Sequence, residues 1–558
     1  MRPRDQAVQA IGDGSFDVLV IGGGITGAGV ALDAASRGCS VALVEQGDYA
    51  SGTSGRSSKL IHGGLRYLES FNFGLVLEAL RERALLAALA PHLVRPLPLV
   101  VPAFDGSHPN RKIGLGLSIY DALAGPILRA RRSRPAGRGW SPSRHRVISG
   151  ERVAQLAPAL APRRPTSGYL YHDCQSDDAR LVLTVLGVAE RFGAVFANRL
   201  RVTGLVKERG RVCGATALDL QGGSELTVRA RNVVSATGVW ADRVGVAGQR
   251  DVRGSGSDRA AAELPRLVPS RGAHVIVSHE DLPLRAGVIV PAPDGRSLFA
   301  LPWLGRSLIG TTDREHDGSL DHPQASAEDI RYLLGPVNRL FGTDLDASRL
   351  TGAYAGVRPL VASGDGRASV DISRRERLYE TSDGLITITG GKLTTWRRMA
   401  KLTVDRIAAR ERRDAACRTH RIPLGKPVDA DLLPRVEGVA EGAYGALAGR
   451  YGAGAADVLE RAAERPELAA PIVLGLPDLL AEAVHAAAVE QALTVSDVLL
   501  RRTRLGLLAA RELCAAGARG PRRVAEAMAG TLGWDAARVE TEAARFRDEA
   551  AIEGLVAS

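Results

Sequence analysis

Aromatic residues are scarce in this chain: phenylalanine, tyrosine and tryptophan make up 4% of its 558 residues. Proteins that read single-stranded nucleic acid stack bases on aromatic rings, and no nucleic-acid reading motif is visible, so a nucleic-acid partner is not expected. Cysteine is sparse too. Cys39, Cys174, Cys213, Cys417 and Cys514 have neither CxxC nor metal-ligand spacing. Isolated core or surface thiols are expected, with no disulfide framework and no metal site. Long apolar runs are also missing. No run reaches the roughly 18 uninterrupted apolar residues of a spanning helix, and Met1 to Phe16 lacks the apolar segment of a secretory signal. These absences predict a cytoplasmic chain that meets a membrane only at its surface.

Acidic residues fall short of basic ones: 62 Asp and Glu against 73 Lys and Arg give a formal net charge of +11. A basic excess suggests an anionic partner such as a phosphate substrate or anionic lipid. A GC-rich genome would also raise arginine and alanine. The length is too great for one ordinary core and predicts two or three domains.

Residues 18 to 45 carry the strongest signal. An apolar strand, Val18 to Ile21, runs into Gly22, Gly24 and Gly27, which fill the G-x-G-x-x-G slots. A helical segment, Ala28 to Ser36, follows, then a second apolar strand, Val41 to Val44, ending on Glu45. This is a βαβ unit for a dinucleotide. Gly22 permits the tight turn, Gly24 lets the backbone approach a pyrophosphate, and Gly27 packs helix on strand. Glu45 is placed to accept from a ribose diol. NAD and FAD both satisfy this motif. FAD is favoured because further glycine turns, at Gly238 and at Gly390-Gly391, lie far along the chain and would wrap an extended cofactor, while no second nucleotide fold is apparent.

Around this unit, residues 71 to 90 read as an amphipathic helix. Ile113 to Leu128 is apolar apart from Asp121, and an arginine- and proline-rich stretch from Arg129 to Arg146 follows. Together they read either as an interfacial patch or as a buried helix followed by a solvated loop. Strand patterns dominate 272 to 315. Residues 384 to 400 read as strand, glycine turn and helix. From 427 to 558 the pattern is helical throughout. The expected fold class is α/β: a Rossmann-like FAD-binding domain, an antiparallel-sheet substrate domain of glutathione-reductase or D-amino-acid-oxidase type, and a C-terminal α-helical domain. The first two interleave within 1–420, with FAD segments at about 15–100, 150–260 and 350–410 and substrate-sheet segments at about 100–150 and 265–350. The helical domain occupies 427–558.

Two further clusters carry chemistry. Ser57-Ser58-Lys59-Leu60-Ile61-His62-Gly63-Gly64-Leu65-Arg66-Tyr67-Leu68-Glu69 crowds hydroxyls, cations, imidazole and paired glycines. Such a set suits a loop beside a flavin and an anion. Gly356-Val357-Arg358-Pro359-Leu360 and Gly390-Gly391-Lys392-Leu393-Thr394-Thr395 each place a cation where it can hold a phosphate or an oxyanion.

With Ile21 to Asp33, Asp177 to Leu181, Ala236 to Trp240 and Ile309 to Asp313, these clusters resemble the FAD-dependent glycerol-3-phosphate dehydrogenase family of aerobic, respiratory type. The resemblance is strong over about 15–400 and extends weakly to Leu499-Leu500-Arg501-Arg502-Thr503-Arg504. Trp396 and Gly55 depart from it, standing where the family has tyrosine and commonly serine. The resemblance implies hydride transfer from sn-glycerol 3-phosphate to FAD, giving dihydroxyacetone phosphate, with a membrane quinone as the next acceptor. It also implies a peripheral position on the inner face of the membrane.

On that reading Arg66, Arg374 and Lys392 clamp the phosphate, with Tyr67 and Thr394 adding hydrogen bonds. Arg374 rests on aligning Asp371 to Arg375, where Arg375 replaces the family's acid. Arg358 sits by the reacting carbon, and His62 or His274 is the base. Ser57, Ser58, Lys59, Gly238, Gly390 and Gly391 join the βαβ glycines and Glu45 at the cofactor. A homodimer through the helical domain is compatible with this. Three alternatives share the features: an oxidase passing electrons to oxygen, a related FAD-dependent amino-acid oxidase, and a flavin-binding regulatory or scaffold protein without turnover. The ligand-clamp cations weigh against the last two.

Overall fold

The computed structural model describes residues 1–68, 71–106, 110–132, 144–244, 266–362 and 375–556, without the side chains of Arg66 and 126–132. The strands in chain order are β1 (Ser15–Ile21), β2 (Val41–Val44), β3 (Leu60–Ile61), β4 (Arg95–Ala103), β5 (Arg146–Ser149), β6 (Ser167–Gln175), β7 (Val195–Ala197), β8 (Leu200–Glu208), β9 (Arg211–Asp219), β10 (Glu225–Ser235), β11 (Leu267–Ser278), β12 (Gly287–Pro291), β13 (Ser297–Trp303), β14 (Arg306–Gly310), β15 (Arg314–Glu315), β16 (Leu350–Val361), β17 (Glu376–Glu380) and β18 (Ile386–Gly390).

The first sheet has a parallel core in the order β7-β2-β1-β10-β18, edged by β17 and extended from β10 by the β8–β9 hairpin. The helix Ile25–Ser36, which joins β1 to β2, is apolar on nearly every side and is accordingly buried all round. It lies against the helices Asp178–Arg191 and Trp396–Arg410. Trp396 is fully buried, and a side chain on Gly29 would overlap its ring (2.6 Å). The departure at 396 therefore preserves packing inside the nucleotide unit.

The second sheet runs β3-β6-β4-β12-β13-β14-β11-β16, with β5 on β6 and β15 on β11. Two expectations change here. Residues 60–61, most of 95–103, 167–175 and 350–361, assigned by sequence to the nucleotide portion, are strands β3, β4, β6 and β16 of this roof. The roof is also mixed, because β4 and β12 pair in parallel. Alternation along a strand identifies its buried faces but not its sheet. One roof face packs Val100, Val288, Leu298 and Ala300 against the helix Ala327–Phe341. The other packs Leu99, Leu301, Trp303 and Tyr171 with the C-terminal helices.

The helix Arg111–Arg132 resolves the two readings of the apolar stretch in part. Tyr120 and Ala124 are buried against the helix Phe73–Leu89, and Leu117 is buried in the cluster that holds Leu99 and Tyr171 of the roof, while Leu115 is 65% exposed. Residues 133–143 lie outside the described residues. No helix among the described residues is long and apolar enough to cross a membrane.

The region after 420 is almost wholly helical. Buried arginines fasten it to the nucleotide unit. Asp48 accepts from Arg501 Nε at 2.6 Å and from Arg502 at 2.7 and 3.0 Å. Asp497 accepts from Arg501 at 2.6 Å and Arg199 at 2.7 Å. Arg504 donates to Asp178 at 2.9 Å and to the Gly55 carbonyl at 2.8 Å. Removing one partner of a buried pair leaves an uncompensated charge, which costs about 3–5 kcal/mol. Asp48→Ala is expected to lose stability of that order in denaturant unfolding. A loss below about 1 kcal/mol, the range of an exposed pair, would deny this joint its role.

Candidate active site

A cavity of about 860 Å³ opens where the C-terminal ends of the parallel strands meet the roof, the usual ligand position in such sheets. Its floor is glycine. Gly22 has φ +111°, and a Cβ there would lie 2.7 Å from the Ala236 carbonyl oxygen. A Cβ on Gly27 would overlap the Gly22 carbonyl oxygen. Gly24 lines the cavity at the helix start, where Ser54 Oγ accepts from the Ile25 amide at 2.9 Å. Glu45 accepts from the Gly23 and Gly47 amides at 2.6 and 2.7 Å. Burial raises its pKa, and those two amides oppose the rise. Carboxylate lone pairs remain for a ribose.

The opposite wall is formed by Gly238, Gly390 and Gly391, all with positive φ. Thr389 Oγ1 donates to the Gly238 carbonyl at 3.1 Å and ties the two turns together. A groove floored and walled by glycines fits an extended dinucleotide, so the residues present suit FAD.

The register of β11 against β16 builds the roof of the site. Ser270 faces Arg358, Gly272 faces Gly356, and His274 faces Tyr354. Alternation puts Ser270, Gly272 and His274 on one face. Arg358 donates to Thr311 Oγ1 at 3.1 Å, the Thr312 carbonyl at 3.2 Å, Asp313 Oδ1 at 3.3 Å and Ser270 Oγ at 3.4 Å. Gly272 makes room for it: a Cβ there would overlap Arg358 Nη2.

His274 is 2% exposed and stacks on Tyr354 at 4.7 Å with a 9° interplanar angle. Its Nε2 lies 2.8 Å from Ser58 Oγ. Burial, with Lys59 and Arg358 nearby, holds its pKa well below the ordinary histidine value, so the ring is neutral near pH 7.

The loop below carries His62. Its amide donates to Thr394 Oγ1 at 3.2 Å, and both residues line the cavity. The next amide, of Gly63, donates to Tyr120 Oη at 2.8 Å. That hydroxyl in turn donates to Asp173 at 2.8 Å, and Arg83 also holds the Asp173 carboxylate. Lys392 Nζ sits 3.6 Å from the centroid of the Tyr67 ring, and both residues line the cavity.

The cavity thus gathers Gly22, Gly24, Glu45, Ser57, Ser58, His62, Tyr67, Gly238, His274, Arg358, Gly390, Gly391, Lys392 and Thr394. Gly27 serves beneath it as packing. Lys59 does not line it, contrary to expectation. At φ +61°, its fully buried ammonium meets Asp178 at 2.8 and 3.0 Å and the Gly55 carbonyl at 2.9 Å. Burial and the nearby Arg504 lower its pKa to about 7. Ser57 Oγ likewise donates to Asp178, at 2.7 Å. Arg374 and the Arg66 side chain lie outside the described residues. Sequence reasoning gave no role to Thr311 and Asp313, although their block carried the resemblance. It missed Tyr354 and Gly272, whose only signal is their β11–β16 register.

Comparison with known proteins agrees with this geometry. The sequence profile of the FAD dependent oxidoreductase family matches residues 17–406, and that of the C-terminal domain of alpha-glycerophosphate oxidase matches 387–539. Glycerol-3-phosphate dehydrogenase 2 of Mycobacterium tuberculosis is 39% identical over 560 residues, covering 98% of this chain and 90% of that protein. The aerobic glycerol-3-phosphate dehydrogenase of Bacillus subtilis is 34% identical over 519 residues, covering 90% and 89%. The crystal structure of the glycerol-3-phosphate dehydrogenase from Bacillus halodurans, complexed with FAD, matches with a TM-score of 0.75 at 30% identity, covering 98% and 96%.

Gly272→Ala tests the roof. The new Cβ meets two side-chain ends, the Arg358 guanidinium and Thr311 Oγ1, so the protein is expected to fold and keep its flavin while the Arg358 guanidinium moves. Misplacement of that kind costs about 100-fold in turnover. Unchanged turnover at unchanged flavin content would show that the guanidinium position is immaterial.

Proposed function

This chain belongs to the FAD-dependent glycerol-3-phosphate dehydrogenase family, and we propose on that premise that its cavity oxidises sn-glycerol 3-phosphate to dihydroxyacetone phosphate and that the electrons pass on to a membrane quinone. The observation that carries this reading is one cavity in which a nucleotide groove, a fixed arginine, a neutral imidazole and a lysine converge. FAD, when bound, supplies the acceptor for the C2 hydride.

The chain's own residues supply the rest. Lys392, with Tyr67 and Thr394 beside it, binds the phosphate from the loop side, together with Arg66 and Arg374 on the family pattern. Arg358 stabilises the alkoxide that develops at the C2 oxygen, held in place by Ser270, Thr311, Thr312 and Asp313. His274 takes up the hydroxyl proton. His274 is preferred to His62 as the base because its ring is fixed by stacking on Tyr354 and by Ser58.

A second reading keeps the substrate and changes the acceptor to oxygen. The match of the C-terminal region to an alpha-glycerophosphate oxidase domain favours it. For the quinone reading, membrane contact draws on exposed apolar groups, Phe71, Phe73 and Leu115, with Arg111 and Lys112 exposed on the same helix as Leu115. Binding to anionic vesicles that weakens in high salt is the expected result. No binding at low salt would remove the membrane from the account.

Anaerobic titration with sn-glycerol 3-phosphate is expected to bleach the flavin. Arg358→Ala should slow that bleaching by about 100- to 1,000-fold at unchanged flavin content. Reoxidation by a soluble quinone without peroxide would support the dehydrogenase. Stoichiometric peroxide would establish the oxidase, and no bleaching of a loaded sample would reject the substrate.

A further inference from the structure

Ser58 and His274 both line the cavity, and the Ser58 hydroxyl caps the imidazole at Nε2. His274 is almost fully buried and cannot swing toward a substrate. Its ring lies flat against Tyr354. Its Cδ2 edge packs so tightly over Gly310 that a Cβ there would overlap it. The Tyr354 hydroxyl is fixed in turn, donating to the Ser57 carbonyl at 2.7 Å. With the ring held, Nε2 meets Ser58 Oγ at 2.8 Å, and Ser58 itself lines the cavity.

The hydroxyl is as firmly placed as the ring. On one side of Ser58, Asp178 Oδ2 accepts from the Ser57 amide at 3.0 Å and the Ser57 hydroxyl at 2.7 Å. On the other, the Lys59 ammonium donates to the same carboxylate, and the Ser176 amide donates to the Lys59 carbonyl at 2.9 Å. A residue pinned through both neighbours presents its hydroxyl in a preorganised position.

We propose that Ser58 is a catalytic proton relay, through which the C2 hydroxyl proton of the substrate reaches His274. The inference rests on His274 being the base. As the substrate C2–O–H bond breaks, its proton passes to Ser58 Oγ. The Ser58 O–H proton passes to Nε2 of His274, giving an imidazolium. The C2 hydride leaves with its electron pair to the oxidised flavin, and the C2=O double bond forms. Ser58 ends with one proton, as it began. The reactive imidazole tautomer carries its hydrogen on Nδ1 and accepts at Nε2. Ser58 is then part of the chemistry and not only a cofactor contact, the role its sequence position suggested.

Anaerobic stopped-flow bleaching by sn-glycerol 3-phosphate tests the relay, with flavin content and substrate affinity measured on the same holoenzyme samples. Ser58→Ala is expected to slow bleaching by about 100-fold with flavin content and affinity kept, and Ser58→Thr, which retains a hydroxyl, to recover to within about tenfold of the native rate. The double variant Ser58→Ala/His274→Asn should be no slower than His274→Asn alone, because both act in one step. If Ser58→Ala stays within about threefold of the native rate while His274→Asn falls by about 100-fold, the imidazole takes the proton directly and the relay is overturned. If His274→Asn is also unimpaired, the assignment of the base itself fails. Should Ser58→Ala lose its flavin, the proton inventory of the native enzyme in mixed light and heavy water decides. A bowed dependence requires more than one proton in flight, and a straight line overturns the relay.

Discussion

A set of buried arginine–carboxylate pairs holds this molecule in register. Asp48, three residues beyond the acid that ends β2, receives two guanidinium groups from the helical region. Asp178, at the first turn of its helix, receives Arg504 from the same region and Lys59 from the loop under the roof. Desolvation takes back much of what such pairs gain, so their main contribution is geometric. They fix which part of the helical region meets which part of the nucleotide unit. Because Arg504 also holds the Gly55 carbonyl, the loop that presents Ser58 is completed by a residue from the far end of the chain. The helical region is therefore part of the site's scaffold.

The second constraint is space. Gly22 and Gly27 let strand, turn and helix approach beneath the cofactor groove, and Gly272 and Gly310 make room for Arg358 and His274 in the roof. The groove is floored by glycines that keep side chains out. The roof is built by glycines that let particular side chains in. Both depend on the absence of a single carbon atom.

Legibility in the sequence followed the range of the contacts involved. The βαβ unit was readable because strand, turn, helix and acid are contiguous, and the second strand was placed to the residue at 41–44. Lys59 was misread because its partner Asp178 lies 119 positions away. Without that partner, a lysine in a glycine-rich loop looks like an anion ligand. The same limit applied to the histidines. The surroundings of the His274 ring, a stacked tyrosine and a glycine behind it, are brought together by strand register. Strands β3, β6 and β16 and most of β4 were assigned to the wrong sheet because periodicity reports burial and not neighbours. Trp396 was readable as a departure, but its meaning lay in Gly29, against which it packs.

The two halves of the cofactor groove emerge far apart in time as well as in sequence. Thr26, beside the first glycine turn, meets Met399 across 373 positions, and Arg56 is tied to Glu553 across 497. On the ribosome the first turn is exposed long before its opposite wall exists. One side of the helix Ile25–Ser36 can be covered by the helix Asp178–Arg191, but its other side waits for the helix Trp396–Arg410. The groove therefore has both walls only once the C-terminal part of the chain exists, and its closure depends on contacts of very high sequence separation, the kind that form slowly.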